Sequence, residues 1–200
     1  MNMATPHTRA YRMSARAVSA ETTGQRILDA TVEAFWERDG EQVSLEEVAR
    51  RADVTVRTVI RRFGGREGLF AAALNRETER VGRERDRAPI GDAGAAVRVL
   101  LDSYEATGER MLGVLAEERR VQSLALIADR GRALHREWCG RVFAPALTGY
   151  EGVERDRRLA QLTAVCDVYT WKLLRRDAGL SRRQTEIAML ELLGPILEAS

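Results

Sequence analysis

Residues 44–63, SLEEVARRADVTVRTVIRRF, constrain this chain more than any other stretch. They spell a short helix, a tight turn and a second helix. Ser44 and Glu47 stand at a capping-box spacing: the serine side chain takes an orphan amide, and the glutamate is expected to reach back to the cap residue. Leu45, Val48 and Ala49 then supply one apolar face at helical spacing. Ala52 and Val54 bracket a turn whose small residues let two helices approach. Thr55 is placed to cap the second helix. On that helix Val59 and Phe63 fall four apart and share a buried side. Arg57, Thr58, Arg61 and Arg62 are left outside. Between residues 50 and 66 there are six arginines and one acid, Asp53. A charge run is usually an ordinary solvated face. Here it coincides with two caps and a tight turn, and a cationic helix on a small apolar tripod is what docking into a DNA major groove requires.

The flanking sequence supports such a module. A helix is expected from Thr22 or Thr23 to about Arg38, with Ile27, Leu28, Thr31, Val32, Phe35 and Trp36 as its inner stripe and Asp39-Gly40 as its end. Gly64-Gly65 breaks the chain after Phe63. A further helix opens near Arg66, with Leu69, Phe70, Ala73 and Leu74 inside. It continues through RETERVGRERDR, a solvated connector, towards Ala88-Pro89. Residues 1–20 contain Arg9, Arg12 and Arg16 and no acid, and are expected to be a flexible basic arm with weak DNA contact.

In their order and spacing RILDATVEAFWERDG and SLEEVARRADVTVRTVIRRFGGREGLF resemble the N-terminal domain of the TetR/AcrR family of transcriptional repressors, over about a quarter of the chain, residues 26–74. The resemblance implies an all-α, homodimeric protein with a DNA-binding head and a ligand-binding body. It also implies DNA contacts at Ser44, Thr55, Arg57, Thr58, Arg61, Arg62 and Arg66. Three positions depart from the family's usual pattern. Ile60 stands where a tyrosine commonly precedes the arginine, Arg62 replaces a histidine, and Arg66 replaces a lysine. The missing phenol hydroxyl removes one phosphate contact, and the two guanidinium groups are suited to supply others.

The rest of the chain keeps helical periodicity. One long helix is expected over GAAVRVLLDSYEATGERMLGVLAEE. RVQSLALIAD and GRALHREWCGRVFAPALTG read as two further helices, the second interrupted at Pro145. VERDRRLAQLTAVCDVYTWKLLRRDAG reads as one long helix ended by Gly179. Ser181 and Gln184 form a second capping box, and Pro195 should kink or stop the last helix. Leu159, Leu162, Val165, Cys166, Tyr169 and Leu173, with Ile187, Leu190, Leu193 and Leu197, give these two helices more apolar surface than a lone hairpin needs. They are either internal core or a two-fold four-helix interface, and the interface is favoured because the family's dimers are built so. Tyr104, Met111, Leu115, Leu124, Trp138 and Trp171 are candidate effector-pocket residues, although each taken singly fits simple packing. The domain reading is an arm over 1–20, a DNA-binding domain with its connector over 21–87, and a ligand-binding and dimerisation domain over 88–200.

Composition narrows the classes. Net charge is only +2, so the basic patches are local. No apolar run approaches the ~18–20 residues of a membrane span, and the first residues lack a secretory pattern, which points to the cytoplasm. The chain has two cysteines, Cys139 and Cys166, with no CxxC and no metal-ligand spacing to His7 or His135. They read as buried structural thiols, with a redox switch as the lesser alternative. No paired carboxylates, activated nucleophile or Gly-rich phosphate loop appears, so neither catalysis nor a cofactor is expected. The expected partners are a pseudo-palindromic duplex operator, a small-molecule effector and a second copy of the chain. Two alternatives stay open: a helical ligand-binding or enzymatic protein that keeps the head as an interaction module, and a transcriptional activator.

Overall fold

A computed structural model of the chain describes residues 6–37 and 43–198. All regular structure among them is helical: α1 (Pro6–Glu37), α2 (Leu45–Arg51), α3 (Val56–Phe63), α4 (Arg66–Arg85), α5 (Ala93–Glu117), α6 (Gln122–Val142), α7 (Gly152–Val165), α8 (Val168–Trp171) and α9 (Arg182–Glu198). A 3₁₀ turn, Ala144–Leu147, precedes α7, and a π turn, Lys172–Asp177, follows α8. Two compact units divide the chain, residues 1–77 and 78–200, and the division falls within α4.

The first unit is built on a tight apolar core. Ile27, Leu28, Ala30 and Ala34 of α1 pack with Val48, Ala49 and Ala52, with Val59, and with Leu69 and Ala73 of α4. Phe35 is half-buried and meets Trp36 and Phe70 edge-on. The expected Asp39-Gly40 helix end lies outside the described residues. At its other end α1 begins at Pro6 rather than near Thr22. Proline suits the first helical position, and no glycine or further proline interrupts the chain until Gly24.

The second unit wraps around α5, which packs on α6, α8 and α9. Asp92 caps α5 by accepting from the Ala95 amide at 2.8 Å. Val97, Leu100, Leu101 and Tyr104 carry its buried face. The sequence readings need four corrections here. The two helices expected between residues 120 and 149 are one helix, α6, running unbroken through Gly131. A lone glycine costs a helix only about 1 kcal/mol relative to alanine, and the buried row Leu124, Ala128, His135 and Trp138 outweighs it.

Conversely, the single helix expected over 153–179 is broken at Cys166-Asp167. The carbonyls freed by the break have partners. Tyr104 Oη donates to the Cys166 oxygen at 2.8 Å, Thr170 Oγ1 to the Ala164 oxygen at 2.6 Å, and Asp167 caps α8 through the Tyr169 amide. Pro195 does not stop α9, which continues to Glu198. Only three residues of the helix follow the proline, of which Ile196 and Leu197 pack on the core, and Arg158 Nη1 donates to the Ile196 oxygen at 2.7 Å. Finally, the connector is not wholly solvated, since Arg85 is buried.

Candidate nucleic-acid interface

The turn between α2 and α3 decides how the second helix is presented. Asp53 has φ 51°, the only positive φ outside glycine among the described residues. Its amide reaches the Arg50 oxygen, and the Val54 amide reaches the Ala49 oxygen at 2.9 Å. This pair of bonds is a Schellman closure with aspartate at the position where glycine is usual. Both caps form as the sequence predicts: Ser44 Oγ accepts from the Glu47 amide at 3.2 Å, and Thr55 Oγ1 accepts from the Thr58 amide at 3.2 Å. The reciprocal half of the first capping box does not. The Glu47 carboxylate accepts from Arg51 Nε at 2.7 Å and from Arg50 instead. Hydrogen bonds from Arg51 and then Arg50 pull its pKa down to about 2. Arg51 also bonds Glu37 at 2.6 Å, which braces α2 against the end of α1.

α3 turns Val59 fully inward and leaves Arg57, Ile60, Arg61 and Arg62 exposed. Arg57 and Arg61, one turn apart, have no ion pair or hydrogen bond among the described residues. Thr58 is half-buried, with its hydroxyl 3.0 Å from that of Thr55. The two flanking arginines are tied down. Arg62 lies 3.4 Å from Glu21. Arg66 donates to the Val43 oxygen at 3.2 Å and stacks over Phe70, 4.9 Å from the ring centre. Gly64 ends α3 in the left-handed conformation, φ 80°. Gly68 is needed for a different reason: a Cβ there would stand 1.9 Å from the Phe63 carbonyl oxygen. Sequence reading missed the Asp53 conformation, the Gly68 contact and the exposure of Ile60. Only Asp53 left a trace, since aspartate tolerates this conformation better than most residues.

The 47 residues 27–73 match the model of the family described as bacterial regulatory proteins, tetR family. The chain is 39% identical over 177 residues to the HTH-type transcriptional repressor KstR of Mycobacterium tuberculosis, covering 85% of this chain and 80% of that one. It is 30% identical to KstR of Rhodococcus jostii, covering 85% and 82%. This chain belongs to the TetR family. It is accordingly a helix-turn-helix transcriptional repressor homologous to KstR and not an enzyme. The fold agrees: a transcriptional regulator from Rhodococcus sp. RHA1 superposes with TM-score 0.62 at 24% identity over 88% of this chain and 96% of that one. A regulator from Pseudomonas aeruginosa PAO1 gives 0.64 at 18% identity over 90% and 92%. TetR-family regulators bind DNA operators, and the exposed face of α3 is the candidate surface for it.

In the second unit the six candidate pocket residues are mostly packing. Tyr104, Leu124, Trp138 and Trp171 are buried, and Met111 and Leu115 pack against the core. Burial pushes the Tyr104 phenol well above its ordinary pKa. Gly108 makes room for Trp171, whose ring would be 2.5 Å from a Cβ there. Trp138 lines a hollow of about 420 Å³ with Asp86, Pro89 and Ile90. A second hollow, about 480 Å³, lies along Thr163, Ala164, Asp167 and Thr170 and includes none of the six. No helix among the described residues is long and apolar enough to cross a membrane.

The expected interface residues divide. Leu162, Cys166 and Leu193 are fully buried in the unit's own core, and Leu190 and Leu197 pack against it. Tyr169, Leu173 and Ile187 are exposed, and so are Val153 and Leu192, which the sequence reading did not name.

Proposed function

We propose that this repressor works as a homodimer whose two α3 helices enter successive major grooves of a pseudo-palindromic operator, roughly 34–36 Å apart. Arg57 and Arg61 read base edges, Thr58 approaches beside them, and Ser44, Thr55, Arg62 and Arg66 lie where the backbone is held. The observation that carries this reading is the contrast on one short helix: Val59 is locked into the core, while Arg57 and Arg61 stand exposed with no internal partner. An arginine fork matches the O6 and N7 acceptors of guanine, so each half-site contains at least one G·C pair read by one of them.

The second copy is held by the apolar face that α7, α8, the π turn and α9 leave uncovered: Val153, Tyr169, Leu173, Ile187 and Leu192. Five large apolar side chains on neighbouring elements suit a self-complementary two-fold contact. A small molecule taken up by the second unit releases the operator by favouring another spacing of the two heads, to the extent of its differential affinity for the two states. The protein acts in the cytoplasm. The head of this proposal is the first compact unit and the body the second, so the last turns of the connector, with Arg85, go with the body. Selection of random duplexes by the purified protein at fixed salt tests the proposal. The expected product is an inverted repeat with a G·C pair at matched positions of both halves, and an enriched pool without two-fold symmetry refutes it.

A further inference from the structure

Gly24 lies buried within α1, at a position where nothing calls for a left-handed backbone. The helical glycines Gly82, Gly113 and Gly131 have open space where a side chain would be. Gly24 does not: a Cβ there would stand 2.3 Å from Nη2, 2.4 Å from Nε and 2.5 Å from Cζ of Arg62. Non-bonded carbon atoms in contact sit roughly 3.5–4.0 Å apart, so the guanidinium occupies the space that glycine leaves empty. Helical spacing brings the two residues together. Gly24 stands one turn before Ile27 and Leu28, on the stripe of α1 that faces the core. Arg62 stands one turn after Val59, the residue that α3 turns inward.

The contact uses one side of the arginine fork. Nε and Nη2 lie against Gly24, and Nη2 also donates to Glu21 Oε2 at 3.4 Å. Nη1 has no hydrogen-bond partner among the described residues. The Phe63 ring centre is 6.0 Å from the guanidinium carbon, at the outer limit of a cation–π contact. The bond to Glu21 is long and that carboxylate is two-thirds exposed, so the ion pair holds Arg62 only weakly. The shape of α1 at Gly24 does more: it gives the guanidinium a seat. Arginine has many rotamers, and one that is seated before DNA arrives loses less freedom on binding.

We propose that Gly24 is a positioning residue for DNA binding: it seats the Nε–Nη2 side of Arg62 against α1 and leaves Nη1 to a phosphate oxygen, so that α1 and α3 present this contact together. The inference rests on the phosphate role proposed for Arg62. A Cβ at position 24 would meet the far end of a flexible side chain and no backbone. The guanidinium can therefore swing away without moving either helix, and alanine is the better helix former. Substitution by alanine thus separates two quantities that a merely structural glycine would lose together. The fold is kept or strengthened, while the DNA contact is lost.

The test titrates the full chain on a mixed-sequence duplex between about 50 and about 200 mM salt, beside thermal melting followed by circular dichroism. Gly24→Ala is expected to weaken binding about three- to tenfold, to lower the salt slope by about one and to melt no earlier than the wild type. Arg62→Ala should reproduce both changes in binding. Adding Gly24→Ala to it should change binding no further, because the two residues act through one contact. The inference fails, with the phosphate role of Arg62 intact, if Arg62→Ala lowers the slope while Gly24→Ala keeps wild-type affinity and slope. It also fails if Gly24→Ala weakens binding as much in the Arg62→Ala background as in the wild type. An early-melting Gly24→Ala protein would show that the guanidinium does not yield, and would overturn the inference too. An unchanged slope for Arg62→Ala removes the phosphate role itself, and the inference with it.

Discussion

The two units put their polar groups in opposite places. The first has a core of Ile27, Val48, Ala49, Val59 and Leu69, and its buried hydroxyl, Thr31, is satisfied within its own helix by the Ile27 oxygen at 2.7 Å. Its charge lies on the outside. The second buries Arg85, His135, Thr185, the Tyr104 hydroxyl and both thiols among its apolar side chains. A DNA reader needs a rigid apolar base under a cationic face, so its chemistry is on the surface. The second unit, proposed above to take up a small molecule, instead keeps its polar groups in the interior. The difference can be broken or sharpened by substitution, and the largest effects should come from burying charge in the second unit.

Leu193→Glu places an unpaired carboxylate in a fully buried site. It should destabilise the second unit by about 3–5 kcal/mol, the scale of an uncompensated buried charge, and thermal melting followed by circular dichroism measures the loss. Ile187→Glu changes a residue of the same helix that is 46% exposed. It should leave the melting curve nearly unmoved and convert dimers to monomers in sedimentation. A dimeric Ile187→Glu protein would remove the proposed interface.

In the first unit the surface carries the effect. Arg57→Ala or Arg61→Ala should cost about 1–3 kcal/mol on the cognate duplex and relax preference at one base pair, with nonspecific binding reduced much less. Titration against single-base variants at fixed salt checks this, and unchanged preferences at every position would move base reading elsewhere. Arg62→Ala should weaken all duplexes alike and reduce the salt slope by about one. Arg66→Ala should differ from it by also lowering the melting temperature, because Arg66 is bonded to the Val43 oxygen and stacked on Phe70. Equal melting temperatures for the two variants would show that this packing contributes nothing.

The first unit was legible because its signals are local. Ser44, Thr55 and Gly64 act on amides and carbonyls within a few residues, and the periodic apolar face of α1 needs no knowledge of its partners. The second unit hid what depends on distant residues. The break at Cys166 is held by the Tyr104 hydroxyl, 62 positions away, and Gly131 stays helical because its neighbours are packed. Arg85 sits in a run of charges that reads as solvated, and its burial is set by Trp138 and His135, more than fifty and fifty positions on respectively. The same limit applied to the last two helices. Spacing showed that Leu193 and Ile187 are apolar but not which faces the core.

The smallest effect lies in the turn that sets α3. Asp53 holds a left-handed conformation that costs most non-glycine residues about 1–2 kcal/mol. Glycine removes that strain but gains freedom in the unfolded chain, which offsets part of the benefit. Asp53→Gly should therefore stabilise the turn by about 0.5–1 kcal/mol, and Asp53→Ala should destabilise it by a similar amount. The reporter is hydrogen exchange at the Val54 amide, which closes the turn on the Ala49 oxygen. Exchange should slow with glycine and quicken with alanine. Charge is a separate matter, since Asp53 is the one acid among six arginines between residues 50 and 66. Asp53→Asn keeps a side chain that tolerates the conformation and removes only the charge. It should leave the Val54 exchange rate unchanged and tighten binding to every duplex, most at low salt. If alanine exchanges as slowly as aspartate, the positive φ carries no strain and the turn is held by its flanking helices alone.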